Sequence, residues 1–218
     1  MPRLLRFALL CVLLFVTVAL PAAFQQLCPG DEFTYRTLQM WRSPFLDWMF
    51  RRVTKAGTAK VLVPVGIVVL LWQRTQRRML WFLGLCSLGV IVLERSAKLM
   101  IARPRPIHYL ASGPLLHSSH GFPSGHVLAA TAFYGMVVIL LQKASIPRGQ
   151  RRAIIGFLMF VTLLVGVSRL YLGAHWLSDV VGGYALGGGY CALATAVYLR
   201  GERRLAASPT QPHTEYVR

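Results

Sequence analysis

Residues 7–30, which read FALLCVLLFVTVALPAAFQQLCPG, decide the fold because they contain no charged side chain. A helix that crosses the hydrocarbon core of a bilayer needs about 20 predominantly apolar residues. Residues 7–30 meet that length alone, as does a second uncharged run at residues 180–199. Four shorter uncharged runs each need a flanking charged turn to span: residues 61–73, 79–93, 127–142 and 153–168. The six runs predict an all-α, polytopic membrane helical bundle of six transmembrane helices.

The composition supports a membrane protein and excludes other classes. Hydrophobic residues make up 55% of the 218-residue chain and charged residues 14%, whereas soluble domains carry about 25% charged residues. The apolar content excludes a disordered chain, and 4 cysteines are too few for a disulfide scaffold. The 24 lysines and arginines outnumber the 7 acidic residues and give a net charge of +17, which predicts basic loops.

The first run also has features of a cleaved signal peptide, because Arg3 and Arg6 precede it and small residues end it. The apolar region of a signal peptide is about 7–15 residues long, and this run is longer, so we expect it to be retained as the first span. Residues 1–205 then form one six-span domain. Residues 206–218 are expected to be a disordered cytoplasmic tail.

The orientation in the membrane follows from basic residues in short loops, which stay on the cytoplasmic side. Such residues are dense in four segments: residues 3–6, 74–78, 143–152 and 200–204. An N-in/C-in arrangement puts all four in the cytoplasm. The opposite ends of the spans then lie on the extracytoplasmic (periplasmic) face of a bacterial inner membrane.

The loop between the first two spans, residues 25–55, mixes aromatic and basic side chains. Trp41 and Trp48 lie among Arg42 and Arg51. This pattern is typical of an amphipathic helix that lies in the headgroup region of a membrane. An ordinary loop helix packed on the bundle explains it equally well.

The ionisable residues near the span ends collect on the outer face in this topology. They are Lys98, Arg105, His126, Arg169, His175 and Asp179. Ionisable side chains at membrane depth are costly and indicate a functional site. Three cations with one carboxylate near them favour an anionic ligand, and the forked donors of arginine suit a tetrahedral oxyanion.

The spacing of these residues indicates phosphoryl transfer. His175 and Asp179 are four residues apart, so the carboxylate can hold one ring nitrogen and leave the other free to attack or to bind a metal. Ser124 and Gly125 precede His126 where span four begins, and the free amides of a helix N-terminus attract phosphate. A nucleophile, an acid, cations and a helix N-terminus are the groups that this chemistry requires.

These residues resemble the type 2 phosphatidic acid phosphatase superfamily, the integral-membrane lipid phosphate phosphatases. Three motifs carry the resemblance. The first is lysine, six residues and Arg-Pro at residues 98–106, and the second is Pro-Ser-Gly-His at residues 123–126. The third is Ser-Arg, five residues, histidine, three residues and aspartate at residues 168–179. All three are complete and in order, so the catalytic motifs extend over residues 98–179.

The resemblance implies a role for each residue. It makes His175 the nucleophile that forms a phosphohistidine, with Asp179 orienting the ring. It makes His126 the acid that protonates the leaving oxygen and then the base that activates water. The residues implied to hold the phosphate are Lys98, Arg105, Ser124, Gly125 and Arg169. No metal and no cofactor are implied.

Other interpretations of the same residues remain open but are less favoured. The spacing of His117, His120 and His126 fits a zinc site, although no cysteine or carboxylate completes it. Ser124 as a serine nucleophile lacks the Gly-x-Ser-x-Gly pattern. Arg103, two residues before the motif arginine, is expected to contact a headgroup or a loop more readily than to bind the phosphate.

The expected function is a membrane phosphatase whose lipid substrate reaches the site from the bilayer. Undecaprenyl diphosphate is the preferred substrate, with phosphatidylglycerol phosphate, phosphatidic acid and lipid A phosphates as rivals, and a phosphotransferase of the same family would have the same motifs. A non-catalytic transporter of anionic lipids is disfavoured, because the polar residues lie at one face and the halves show no repeat. The expected partners are the substrate and membrane lipids, not nucleic acid.

Overall fold

The computed structural model describes residues 2–72, 77–106, 120–142 and 144–206, and the regular structure within these ranges is helical. A 3₁₀ turn at Thr54–Gly57 joins the third helix to the fourth. The eight helices are α1 (Pro2–Ala23), α2 (Asp31–Met40), α3 (Pro44–Val53), α4 (Ala59–Trp72), α5 (Arg77–Ile101), α6 (Gly125–Leu141), α7 (Arg148–Tyr171) and α8 (Leu177–Ala206). The all-α prediction is confirmed.

Each of the six predicted spans corresponds to a helix, namely α1 and α4 to α8. Three of them are long and apolar enough to cross a membrane by length and composition: α1, α7 and residues Leu177–Gly201 of α8. The extension of α7 beyond residues 153–168 supplies the charged turns that its short apolar run requires. α4 and α6 are apolar but have only 14 and 17 residues, fewer than the about 20 residues that a straight crossing needs. Apart from Ala206, the predicted tail lies outside the described residues.

The loop after α1 holds two short helices, α2 and α3, where a single amphipathic helix was predicted. The break has a local cause, because Ser43 caps α3 by accepting a hydrogen bond from the Leu46 amide and Pro44 occupies the first turn. Phe50 packs on Tyr171 of α7 with the ring centroids 4.5 Å apart. The other face leaves Trp48 54% exposed. One side of α3 therefore packs on the bundle, which agrees with the interpretation of this loop as an ordinary helix packed on the bundle.

The interior of the bundle forms where α8 packs between α1 and α6. A Cβ atom added at Gly183 would lie 2.9 Å from the Ser124 carbonyl oxygen and 3.0 Å from the Val127 Cβ. One turn later, a Cβ at Gly187 would lie 2.8 Å from the Leu128 carbonyl oxygen. Only glycine lets the two backbones come this close. This contact fixes the start of α8 against the start of α6.

The termini of α5, α6, α7 and α8 meet at one end of the bundle. Ala102 ends α5 in a left-handed conformation with φ +48°, a geometry that redirects the chain after a helix. The Ser124 amide donates to the Asp179 carbonyl oxygen (3.0 Å), which joins the starts of α6 and α8. The Ala174 amide donates to the Arg169 carbonyl oxygen (3.1 Å) where α7 turns toward α8. The three predicted motifs therefore converge.

Candidate active site

Buried polar atoms without partners mark the centre of this end of the bundle. Ser124 is fully buried and its Oγ has no hydrogen-bond partner among the described residues, and the Nε of the buried Arg169 has none either. Buried polar atoms are nearly always hydrogen-bonded, and those that are not require an explanation. Ser124 is the N-cap residue of α6 and makes no capping hydrogen bond through its side chain. A hydroxyl, a guanidinium nitrogen and a helix N-terminus are thus available to an anion.

His175 lies between a carboxylate and a guanidinium. Its Nδ1 is 3.4 Å from Asp179 Oδ2, close enough for an ion pair, although the geometry is not that of a hydrogen bond. Its Nε2 is 3.3 Å from Nη1 of Arg105, which also donates to the Ala174 carbonyl oxygen at 3.1 Å. A guanidinium only donates, so this contact fits the tautomer in which Nε2 accepts and Nδ1 carries the proton. In this tautomer the lone pair of Nε2 faces Arg105.

The surroundings of His175 keep its imidazole neutral. The side chain is buried, and burial is the main cause that holds its pKa well below the ordinary value. The positive charges of Arg169, Arg105 and Lys98 lower the pKa of His175 further. A neutral imidazole with a free lone pair is the form of histidine that acts as a nucleophile.

The 3₁₀ turn Thr54–Gly57 supports two of the predicted site residues. Thr54 Oγ1 accepts a hydrogen bond from Arg169 Nη1 at 3.1 Å. A Cβ added at Gly57 would lie 2.6 Å from the His126 carbonyl oxygen, so the turn touches the backbone of α6. Thr54 is not among the site residues predicted from the sequence. The chain around it has no motif, and its partner lies 115 positions later.

Lys98 is already paired with a carboxylate in this structure. Its Nζ donates to Glu94 Oε1 at 2.6 Å, one helical turn earlier on α5. The Glu94 carboxylate packs directly on Gly125, where any side chain would collide with it. An acidic group therefore lies against the N-terminus of α6, beside the cation that the motif assigns to phosphate.

Arg103 contacts the loop between the first two predicted spans, residues 25–55, which agrees with the sequence-based expectation of a loop contact, but it does so as a buried side chain. The side chain is 2% exposed and its nitrogens are occupied. Nη1 donates to Ser178 Oγ (2.6 Å) and to Asp179 Oδ1 (2.7 Å). Nη2 donates to Asp31 Oδ2 (2.9 Å) and to the Gln26 carbonyl oxygen (3.0 Å). The physical reason is that two buried carboxylates need a cation, and Arg103 is placed between them.

A largely apolar cavity of about 570 Å³ opens beside the site between α4, α5 and α6. His126 and Gly125 form its end at the start of α6, together with Glu94. Its walls include Leu62, Val63, Ile67, Leu83, Val90, Ile91, Phe133 and Met136. The predicted acid and the phosphate-binding glycine thus border a space suited to a hydrocarbon chain.

The structure brings all of the predicted site residues to one end of the bundle. The positive charges of Lys98, Arg105 and Arg169 are close enough to act on both histidines. Within the described ranges, no group of three or more His, Cys, Asp or Glu side chains is placed to hold a metal ion. One of the three histidines in the zinc interpretation, His117, lies outside the described ranges. The arrangement can bind a tetrahedral anion and attack it with a nitrogen nucleophile.

Comparisons with known proteins agree with this geometry. The phosphatidylglycerophosphatase B of Bacillus subtilis is 30% identical over 164 residues, which cover 72% of this chain and 78% of that protein. An undecaprenyl-diphosphatase of Sulfolobus acidocaldarius is 33% identical over 138 residues, 62% of each chain. Both similarities extend over well over half of this chain.

A crystal structure of a PAP2-type phosphatidylglycerolphosphate phosphatase from Bacillus subtilis has the same fold. It superposes with a TM-score of 0.73 at 26% sequence identity, over 87% of this chain and 96% of that one. Residues 77–203 match the PAP2 superfamily, and this stretch contains all three motifs. The chain therefore belongs to the PAP2 superfamily of membrane lipid phosphate phosphatases, which are metal-independent hydrolases.

Proposed function

We propose that the protein hydrolyses the phosphate or diphosphate headgroup of a membrane lipid through a phosphohistidine on His175. The observation that carries the proposal is the pairing of His175 with Arg105 and Asp179. Nε2 keeps its lone pair on the side of the phosphate-binding arginine, while Nδ1 carries its proton on the side of the carboxylate. This is the state that an attacking imidazole requires.

In the first step, Nε2 of His175 attacks phosphorus and the bond from phosphorus to the leaving oxygen breaks. The ring becomes positively charged, and Asp179 stabilises that charge. Arg105, Arg169 and the N-terminus of α6 neutralise the oxygens of the transferred phosphoryl group. His126 gives a proton to the leaving oxygen. Its position at the end of the apolar cavity supports this role, because the lipid departs on that side.

In the second step, His126 takes a proton from a water molecule and the oxygen attacks the phosphohistidine. The bond between phosphorus and Nε2 breaks, the electron pair returns to His175, and inorganic phosphate leaves. One histidine therefore forms the covalent bond while the other moves protons in both steps. No metal takes part in this scheme.

We propose that α1 and α4 to α8 all cross the membrane, with both termini in the cytoplasm and the site on the extracytoplasmic face. The basic residues in the first turns of α1 and in the last turns of α8 support this orientation. The exposed Trp48, with the Arg52 guanidinium 3.8 Å above its ring, fits a helix that meets the headgroup region. The substrate then reaches the site sideways from the outer leaflet of a bacterial inner membrane.

The preferred substrate remains undecaprenyl diphosphate, with phosphatidylglycerol phosphate as its nearest rival. Both classes are represented among the relatives. The apolar cavity beside His126 supports a substrate with a long hydrocarbon chain in either case. Phosphatidic acid and lipid A phosphates are the other candidate substrates. Transfer of the phosphoryl group to a second lipid is the alternative reaction.

The deciding experiment measures phosphate release by the purified full-length protein in detergent. The panel contains undecaprenyl diphosphate, phosphatidylglycerol phosphate, phosphatidic acid and a lipid A phosphate, each compared with a short-chain analogue. We expect kcat/KM to be higher for the long-chain member of each pair. His175→Ala should abolish phosphate release and also the acid-labile phosphoenzyme trapped with radiolabelled substrate.

Three outcomes would contradict the proposal. Turnover by His175→Ala in a host that lacks other lipid phosphatases would remove His175 from the mechanism. Loss of activity in EDTA that zinc restores would require a metal. Binding of all the lipids without phosphate release would favour the transporter.

A further inference from the structure

The catalytic carboxylate belongs to a buried chain of charges that extends beyond the three motifs. Arg103 donates to Asp179 Oδ1 (2.7 Å) and to Asp31 Oδ2 (2.9 Å), and all three side chains are at most 2% exposed. Ser178 Oγ joins the same group, because it accepts from Arg103 Nη1 and donates to Asp31 Oδ2 at 2.8 Å. Buried charges of this kind persist only when they are paired and hydrogen-bonded.

Asp31 comes from a different part of the chain than the motifs. It lies at the start of α2, outside the residues 77–203 that match the family. Its Oδ1 accepts from the Ser178 amide at 2.8 Å, and its Oδ2 accepts from the Cys28 amide at 2.9 Å. One carboxylate thus caps the first turn of α8, the helix that carries Asp179, and fixes the turn before α2.

The net charge of this group sets the electrostatic environment of the His175 ring. Asp179 offers Oδ2 to His175 while Oδ1 is held by Arg103. If Asp179 and Arg103 were alone, their charges would cancel and the ring would face a neutral pair. Asp31 restores one net negative charge to the group, next to the ring that becomes positive during attack.

We propose that Asp31, acting through Arg103, is a positioning residue for the reaction: it fixes the direction of Asp179 and gives the buried group a net negative charge beside His175. The inference rests on the proposed phosphohistidine mechanism. Asp31 touches neither the substrate nor the reacting atoms. Its contribution belongs to the step in which charge develops on His175, so it acts on kcat and leaves phosphate binding unchanged.

The first test compares Asp31→Asn with Glu32→Gln in the full-length protein. The neighbouring Glu32 is a matched control, because its side chain is 56% exposed and it pairs with Arg36 on the surface of α2. We expect Asp31→Asn to lower kcat by about 10- to 100-fold, the effect of one buried charge near the ring. KM and the inhibition constant of inorganic phosphate should stay within about threefold, since the phosphate-binding groups are intact. Glu32→Gln should match the wild type.

A double variant distinguishes an electrostatic role of Asp31 from a purely structural role. Asp31→Asn combined with Arg103→Gln removes both partners and again leaves Asp179 as the single net charge facing His175. We expect kcat of this double variant to exceed that of Asp31→Asn by at least about threefold, because the two changes interact and do not add. If Asp31 only holds the fold together, the double variant will be worse than the single one.

Ser178→Ala provides an independent measurement if Asp31→Asn does not fold. It removes the hydroxyl that joins Asp31 to Arg103 and leaves every charge in place. We expect kcat to fall by up to about tenfold with KM unchanged, as for the loss of one hydrogen bond to a charged group. Unchanged kcat in this variant or in Asp31→Asn would overturn the inference, as would equal loss in Glu32→Gln. Absence of wild-type turnover would instead contradict the proposed function, because only variant-to-wild-type ratios report on Asp31.

Discussion

At the scale of single residues, the resting site is held together by groups that the substrate must rearrange. Arg105 faces the lone pair of His175, and Glu94 holds Lys98. In the proposed mechanism, the oxygens of an arriving phosphate offer both cations a better partner. We then expect the cations to turn toward the phosphate and to leave Nε2 of His175 facing phosphorus.

The depressed pKa of His175 predicts how stability depends on pH. The histidine titrates near about 6.5 in the unfolded chain, whereas burial and the three cations keep it neutral in the folded protein well below that pH. The unfolded state therefore binds the additional proton, and the free energy of unfolding decreases as the pH falls below the unfolded pKa. The cost from this one group grows as the pH falls below about 6.5, and above about pH 7.5 it is almost absent.

The measurement is thermal or denaturant unfolding in detergent at pH 7.5 and 5.5, for the wild type and for His175→Gln. We expect the wild type to lose more stability than the variant on acidification. An equal loss in both proteins would show that His175 is not held neutral in the folded state.

The motif residues could be predicted from sequence because the spacing of each motif is local. His175 and Asp179 are one helical turn apart, and Ser124 immediately precedes the helix that it caps. Asp31 and Thr54 could not be predicted in this way. Their partners lie 147 and 115 positions later, and nothing near them in sequence distinguishes them from ordinary polar residues. The loop contact of Arg103 was expected, but its burial between two carboxylates could not be predicted, because it depends on Asp31.

At the scale of helices, the close contact of α6 and α8 positions two motifs. Ser124 and Val127 of one helix touch the backbone of Gly183 in the other. Because the Ser124 amide also bonds to the Asp179 carbonyl oxygen, a shift of either helix would move the phosphate-binding turn relative to the carboxylate.

Gly183→Ala should therefore be destabilising. The added Cβ would meet backbone and Cβ atoms that cannot rotate away, and overpacking of this kind costs about 1–3 kcal/mol. Gly201→Ala is the matched control in the same helix, since nothing lies within 4 Å of a Cβ there. That variant should be neutral or more stable by about 0.5–1 kcal/mol. Unfolding in detergent measures both, and equal stability of the two variants would contradict the packing argument.

The sequence predicted the six apolar helices because each overlaps most of an uncharged run with basic or turn residues at its ends. The ends of the helices were harder to predict. α5 and α7 continue through charged residues of the site, where Lys98 bonds to Glu94 and Arg169 bonds to Thr54. The separation of α2 from α3 depends on Ser43 and Pro44, a cap that the aromatic and basic pattern of the loop obscures.

At the scale of the whole molecule, the proposed orientation predicts from which side of the membrane a cysteine in each loop can be labelled. In a variant without the native cysteines, Trp41→Cys should react with a membrane-impermeant maleimide added to intact spheroplasts, because position 41 is exposed in the proposed outer loop. Gly149→Cys, in the first turn of α7, should react only after the membrane is permeabilised. Phosphate release by each variant shows that it is folded. The opposite labelling pattern would reverse the orientation.

The packing of α1 against α8 places the first helix to be synthesised next to the last. Arg103 and Asp31 leave the ribosome well before Asp179 is translated, so the incomplete chain holds a cation and a carboxylate that still lack the third member of their group. The buried group of charges is therefore completed only once the start of α8 has been synthesised. An incomplete chain that ends before α8 should thus show no phosphate release.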